Sequence, residues 1–363
     1  MQAFSKLLTS RWGPIITGAV IGVFASLLVL WGNPGNMGFC MVCFTRDIAG
    51  ALGMHNAGVV QYIRPEIIGG LLGAFIAAIM FKEFKPRGGS APMVRFLLGV
   101  LAAFGALIFL GCPWRAYLRL AGGDWNAIVG IFGLVVGVVI GIYFLREGFS
   151  LGRSHPAPKA SGFIMPIFMV VLLVLLVFAP QFGKDATGPI FFSESGPGNM
   201  YAPVLISLCV GLLVGFLAQR SRFCTIGAIR DKILLKDSHL LNGVLALVFF
   251  AFITNLILGQ FNAGFESQPV AHSDGLWNFG GMVLAGLAFT LVGGCPGRQL
   301  FLAGEGDNGA GIFFMGMLAG TAFAHIFSIA SSSSGVGAFG PEAVIIGLVI
   351  CIAIGFTMRE AKA

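Results

Sequence analysis

The sequence predicts an all-α integral membrane protein of about ten transmembrane helices, folded as an inverted five-plus-five repeat with four short re-entrant half-helices. Three observations carry this reading: an apolar composition, ten uncharged runs of roughly spanning length, and two motifs that each occur twice at nearly the same offset. Of 363 residues, 57% are hydrophobic and 10% charged, and the mean hydropathy of +0.91 lies outside the range of soluble domains.

The first run, 13–31, follows Lys6 and Arg11. It is long for the apolar region of a signal peptide and no convincing small-residue cleavage pattern follows, so it is read as a retained first helix. Runs 67–81, 96–110, 126–145 and 162–180 complete one set of five, and 201–219, 240–260, 276–293, 309–330 and 343–358 make a second. None alternates apolar and polar residues with period two, so helices rather than barrel strands satisfy the backbone in lipid. Glycines four apart, at Gly18/Gly22, Gly133/Gly137/Gly141 and Gly211/Gly215, are assigned to close helix packing.

The repeat is read from GCPWRAYLRLAGGD (111–124) and GCPGRQLFLAGEGD (294–307), 183 residues apart, and from FCMVCFTRD (39–47) and FCTIGAIRD (223–231), 184 apart. Each unit, 1–180 and 181–363, holds five runs. An odd number inserts the second copy upside down. With both termini in the cytoplasm, the outer face keeps only Arg46, Arg64, Arg115, Arg119 and Lys184 of the 22 lysines and arginines. The positive-inside rule favours that orientation, and basic cytoplasmic loops account for the net charge of +7.

Each motif opens a segment too short to cross a bilayer but suited to a re-entrant half-helix. Gly111 and Gly294 are expected to permit a turn, Cys112 and Cys295 to cap the helix, and Pro113 and Pro296 to take its first position. Helix N-termini favour anions, and Arg115 and Arg298 follow their cysteines by one turn. Together with Cys40 and Cys224, these residues are the expected substrate contacts, near the bilayer midplane. A soft, sulfur- or selenium-bearing anion suits sulfur donors better than phosphate or chloride. A permanent thiolate would repel an anion, so neutral thiols are expected during transport.

Other residues are read more plainly. Arg46-Asp47 and Arg230-Asp231 close short helices as ion pairs, although a supporting role at the site is kept open. Arg115 and Arg298 either attract substrate or bond to a carbonyl or to Asp124 and Asp307. Cys209 and Cys351 lack a cysteine counterpart in the other copy and read as apolar filler. His325 reads as hydrogen-bonded structure, with a proton relay as the alternative. Cys40-x-x-Cys43 has the spacing of a redox or metal pair, but Gly227 replaces the second cysteine in the other copy, and no second CxxC completes a zinc site. No metal, cofactor or nucleic acid is expected, and no phosphate loop, HExxH or nucleophile elbow is present.

On the paired FC…RD and GCP.R motifs the chain resembles the YeeE/YedE membrane proteins, also called the sulphur-transport family, which includes bacterial thiosulfate importers. GCPWRAYLRLAGGD looks closest to the YedE branch linked to selenium metabolism. The resemblance covers nearly the whole chain. It implies an inverted-repeat transporter of the bacterial inner membrane, with Cys40, Cys112, Cys224 and Cys295 lining a central path where thiols touch thiosulfate. It also implies a substrate and membrane lipids as partners, with a cytoplasmic thiol-carrying protein as a candidate. Cys43, and Trp114 opposite Gly297, depart from a symmetric site. The competing readings are a membrane thiol-disulfide oxidoreductase or sulfur-transfer protein working through Cys40 and Cys43, and an assembly scaffold.

Overall fold

Sixteen helices account for nearly all regular structure in the computed structural model, which describes residues 2–178 and 190–359. In the first half these are α1 (Gln2–Thr9), α2 (Trp12–Leu30), α3 (Met41–Ala51), α4 (Pro65–Met80), α5 (Pro92–Phe109), α6 (Pro113–Ala121), α7 (Asn126–Arg146), α8 (Lys159–Gly162) and α9 (Ile164–Phe178). The second half holds α10 (Val204–Ser221), α11 (Thr225–Leu234), α12 (His239–Ile257), α13 (Gly275–Val292), α14 (Pro296–Gly304), α15 (Asn308–Ile326) and α16 (Gly340–Thr357). Two-residue strands at Arg87–Gly88 and His155–Pro156 pair antiparallel. The boundary expected at 180/181, the end of the fifth run and Lys184 lie outside the described residues.

The ten expected runs are all helical. Eight helical segments among the described residues are long and apolar enough to cross a membrane; the second and fifth runs form shorter apolar helices of 16 and 15 residues. Large apolar side chains on the outer surface, such as Phe132, Leu205, Ile257 and Phe178, are well exposed, as expected where lipid is the solvent. Proline starts α4, α5, α6 and α14, where its missing N–H costs no helical bond and its φ is already set.

Packing pairs exchange between the halves. By the repeat offset α2 corresponds to α10, α4 to α12, α5 to α13 and α7 to α15. In space α2 packs on α12 and α10 on α4, while α7 packs on α13 and α15 on α5. The glycines assigned to packing lie at these contacts. A Cβ on Gly18 would stand 1.9 Å from the Gly243 carbonyl oxygen, one on Gly137 2.2 Å from that of Val283, and one on Gly215 2.0 Å from that of Gly70. Backbone therefore meets backbone with no room for even a methyl group.

Contacts between connecting segments fall into two sets. In one, Arg64 bonds the carbonyls of Pro197 and Met200, Trp125 N–H donates to Gly264, His272 meets Ile108, and Ser331 N–H donates to Leu107. In the other, Lys85 N–H donates to Glu305, Arg87 pairs with Asp307, Ser90 bonds Leu151, and Ser150 N–H donates to Met358. These are the two opposite ends of the bundle.

Candidate functional site

The four motif cysteines cap the four short helices α3, α6, α11 and α14. Cys40, Cys224 and Cys295 hold extended backbone, and their sulfurs accept the N–H of Cys43 (3.3 Å), Gly227 (3.2 Å) and Arg298 (3.4 Å). Each thus satisfies one orphan donor of its helix. Cys112 makes no such cap bond; its thiol lies against that of Cys40. Pro113 and Pro296 occupy the first helical position.

The turn into α6 and α14 falls one residue earlier than expected. Gly111 and Gly294 do not take positive φ; Leu110 (φ 59°) and its repeat counterpart Gly293 (φ 96°) do. The motif glycines are needed for space instead. A Cβ on Gly111 would sit 3.3 Å from Arg115 Cδ, and one on Gly294 3.2 Å from Arg298 Cγ. Leucine in the left-handed region is costly, and Arg115 holds it there by donating to the Leu110 carbonyl.

The cysteines gather by half of the chain rather than at one common point. Cys40, Cys43 and Cys112 form one group, with Cys40 against both of the others. Cys224 and Cys295 form the second, where the Cys295 N–H donates to Cys224 Sγ at 3.3 Å. Exposure is zero for all of them except Cys224, at 6%. Among the described residues all seven cysteines are free. Cys209 and Cys351 stand in α10 and α16, outside both groups.

Trp114 stands between the two groups. Its indole packs on Phe39, before Cys40, at 6.4 Å between centroids, and on Phe223, before Cys224, at 5.5 Å. A Cβ on Gly297, the equivalent position of the other copy, would come within 2.9 Å of the same ring. The tryptophan of one half therefore fills the space left by the glycine of the other. The indole is fully buried and its Nε1–H has no partner.

The arginines behave differently. Arg115 is fully buried and is bound by carbonyls, donating to those of Asn36, Pro269 and Val270 (3.1–3.3 Å) besides Leu110, with Cys43 Sγ at 3.9 Å. Arg298 pairs with Glu305 at 3.1 Å. Neither bonds the aspartate of its motif: Asp124 pairs with Arg119 (2.6 Å) and Asp307 with Arg87 (2.8 Å). Adjacent ion pairs form at Arg46-Asp47 (2.7 Å) and Arg230-Asp231 (2.8 Å). Arg64 also reaches Asp47 at 2.7 Å. His325 is not bonded through Nε2; its ring lies 4.7 Å from that of His55.

A cavity of about 180 Å³ is lined by Arg95, Arg230, Thr290 and Gly293, among others. It ends one residue before the GCP motif and carries two guanidinium groups. Glu83, outside the spans, pairs with Arg220 (2.7 Å) and Arg222 (3.0 Å) and accepts from Gln219 (2.7 Å). Burial alone would raise its carboxyl, but the hydrogen bond from Gln219 and the charges of Arg220 and Arg222 outweigh that and hold it below its ordinary 4.5.

Trp114, Tyr117, Thr225, Gln299 and Glu305 were not singled out as contacts from sequence. Each stands where the two copies differ, opposite Gly297, Leu300, Met41, Ala116 and Gly122. Searching for shared residues passes over such positions, so the signal was the mismatch itself.

Fold and site together define a multi-pass helical membrane protein with a buried cysteine centre. Residues 220–354 match the sulphur transport family model. The thiosulfate transporter TsuA of Escherichia coli (strain K12) is 31% identical over 113 residues, 31% of this chain and 32% of that protein. The thiosulfate transporter TsuA of Spirochaeta thermophila is 31% identical over 99 residues, 27% of this chain and 29% of that protein. The matched stretch spans about a third of these relatives' length.

Proposed function

We propose that this protein carries a small sulfur-containing anion, thiosulfate or an analogue bearing selenium, across the bacterial cytoplasmic membrane. The observation that carries the reading is the gathering of the motif cysteines from both halves into two buried thiol groups at the starts of four short helices. Neutral thiols at helix N-termini offer weak, soft contacts to an anion, and backbone N–H groups add positive potential without fixed charge. Contacts of that strength hold an ion briefly without trapping it, as conduction requires.

The architecture we assign is an inverted repeat of residues 1–180 and 181–363, with α3, α6, α11 and α14 as re-entrant or broken-helix elements. The exchanged packing pairs support it, as does the division of loop contacts into two ends. Both termini are assigned to the cytoplasm, on the basic face with Arg87, Arg220, Arg222 and Arg230. Arg95 and Arg230 then line an inner vestibule, where a cytoplasmic thiol-carrying protein could receive the anion. The conformation described here is closed, since Trp114 and its phenylalanines fill the space between the thiol groups.

The alternative, an oxidoreductase using Cys40 and Cys43, requires a partner thiol to reach sulfurs that are wholly buried. Arg46, Asp47, Arg230 and Asp231 are assigned to support the short helices, and Arg115 to hold the turn before Cys112. Labelled thiosulfate uptake into proteoliposomes tests the reading. Wild type accumulates label, and Cys112→Ala and Cys295→Ala each reduce the initial rate by about tenfold or more, the loss of a good polar contact in transit. Unchanged rates in both variants overturn the assignment.

A further inference from the structure

Beside the second thiol group stand three buried polar atoms without a partner, although the Gln299 amide also donates through Nε2 to the Val292 carbonyl at 3.4 Å. Trp114 Nε1, Thr225 Oγ1 and Gln299 Oε1 are all without hydrogen-bond partners, in residues exposed by 0, 0 and 1%. All three converge on the start of α14. Trp114 Nε1 lies 3.1 Å from where a Gly297 Cβ would stand, Gln299 Nε2 3.5 Å from that of Gly294, and Thr225 stands beside the Cys295 thiol. A buried donor left unpaired costs the desolvation of that group. The equivalents of Thr225 and Gln299 beside the first thiol group are Met41 and Ala116, which incur no such cost.

We infer that Trp114 and Thr225 form an oxyanion subsite beside Cys224 and Cys295, so that the indole N–H and the hydroxyl bind the oxygen end of a thiosulfate-like anion while the thiols meet its sulfur end. The inference rests on the transport reading and deepens it. An indole N–H fixed by its ring and a hydroxyl that turns to meet it distinguish an oxygen-bearing end from a bare sulfur, a choice that thiols alone make poorly. The subsite draws on both halves but stands at one thiol group only. The repeat therefore supplies two sulfur contacts but one place where the anion is recognised by both ends.

The test is thiosulfate binding to the purified full chain by calorimetry, with uptake into proteoliposomes alongside. Trp114→Phe keeps an aromatic ring, though a smaller one, and removes the N–H; Thr225→Val keeps the shape and removes the hydroxyl. Each weakens thiosulfate binding and raises KM by about tenfold, as expected for one hydrogen bond to a charged group. Thr225→Ser retains the hydroxyl and binds within about twofold of wild type. Without thiosulfate, Thr225→Val melts within a degree or two of wild type, because the hydroxyl it removes meets only the Cys295 thiol. Wild-type affinity in both W114F and T225V overturns the subsite while leaving transport intact, and so does T225S as weak as T225V or a marked loss of stability in T225V. A wild-type protein that neither binds nor transports thiosulfate overturns the transport reading, and the subsite falls with it.

Discussion

Arg115 illustrates how a residue chosen for its charge can be occupied by geometry. Its five donors suit the carbonyls of an irregular turn as well as they suit an anion. Four carbonyls surround it, so its charge reaches Cys43 only as a long contact. The shared GCP.R pattern made both the arginine and its nearness to sulfur legible; three of the four carbonyls came from loops 79, 154 and 155 residues away, which spacing cannot reveal. Glu83 lends itself to a residue-scale test. Its carboxyl is depressed by Gln219, Arg220 and Arg222, so its contribution to stability is complete above its ordinary 4.5 and is lost as pH falls through the lower folded value. Glu83→Gln melts below wild type at pH 7 and the gap narrows below about pH 4; a gap independent of pH between 3.5 and 7 contradicts this.

At the scale of elements, the glycine-lined contacts decide which helices pair. Gly18 and Gly22 on α2 meet α12, Gly211 and Gly215 on α10 meet α4, and Gly133 and Gly137 on α7 meet α13. Gly215→Ala places a methyl group 2.0 Å from the Gly70 carbonyl oxygen, which forces α10 and α4 apart. A loss of about 1–3 kcal/mol follows, visible as a lower melting temperature in detergent; Gly275→Ala, with open space around it, melts within a degree or two of wild type. The helices and their apolar runs were legible because lipid imposes length and polarity directly on sequence. The position of the positive-φ residue was not, because Leu110 gives no local signal for a left-handed turn. It is held by tertiary bonds, and only its counterpart Gly293 hints at the conformation.

For the whole molecule, orientation is the property most open to a direct check. Cysteines introduced at Asn199 and at Arg153 lie on opposite ends of the bundle. In intact cells a membrane-impermeant thiol reagent labels the first and spares the second; the reverse pattern inverts the assigned orientation, and labelling of both or neither contradicts the odd number of crossings assigned between the two positions. Sequence reached this level through loop charge and the repeat offset, both properties of the entire chain, whereas the contents of the site depended on where the copies diverge. The exchanged helix pairs carry a last consequence, for biosynthesis. When the first half has left the ribosome, α2, α4, α5 and α7 still await partners encoded in the second, with narrow glycine grooves open to lipid or to a chaperone. Neither half can finish folding on its own schedule, so the two fragments should accumulate only when produced together, each completing the other.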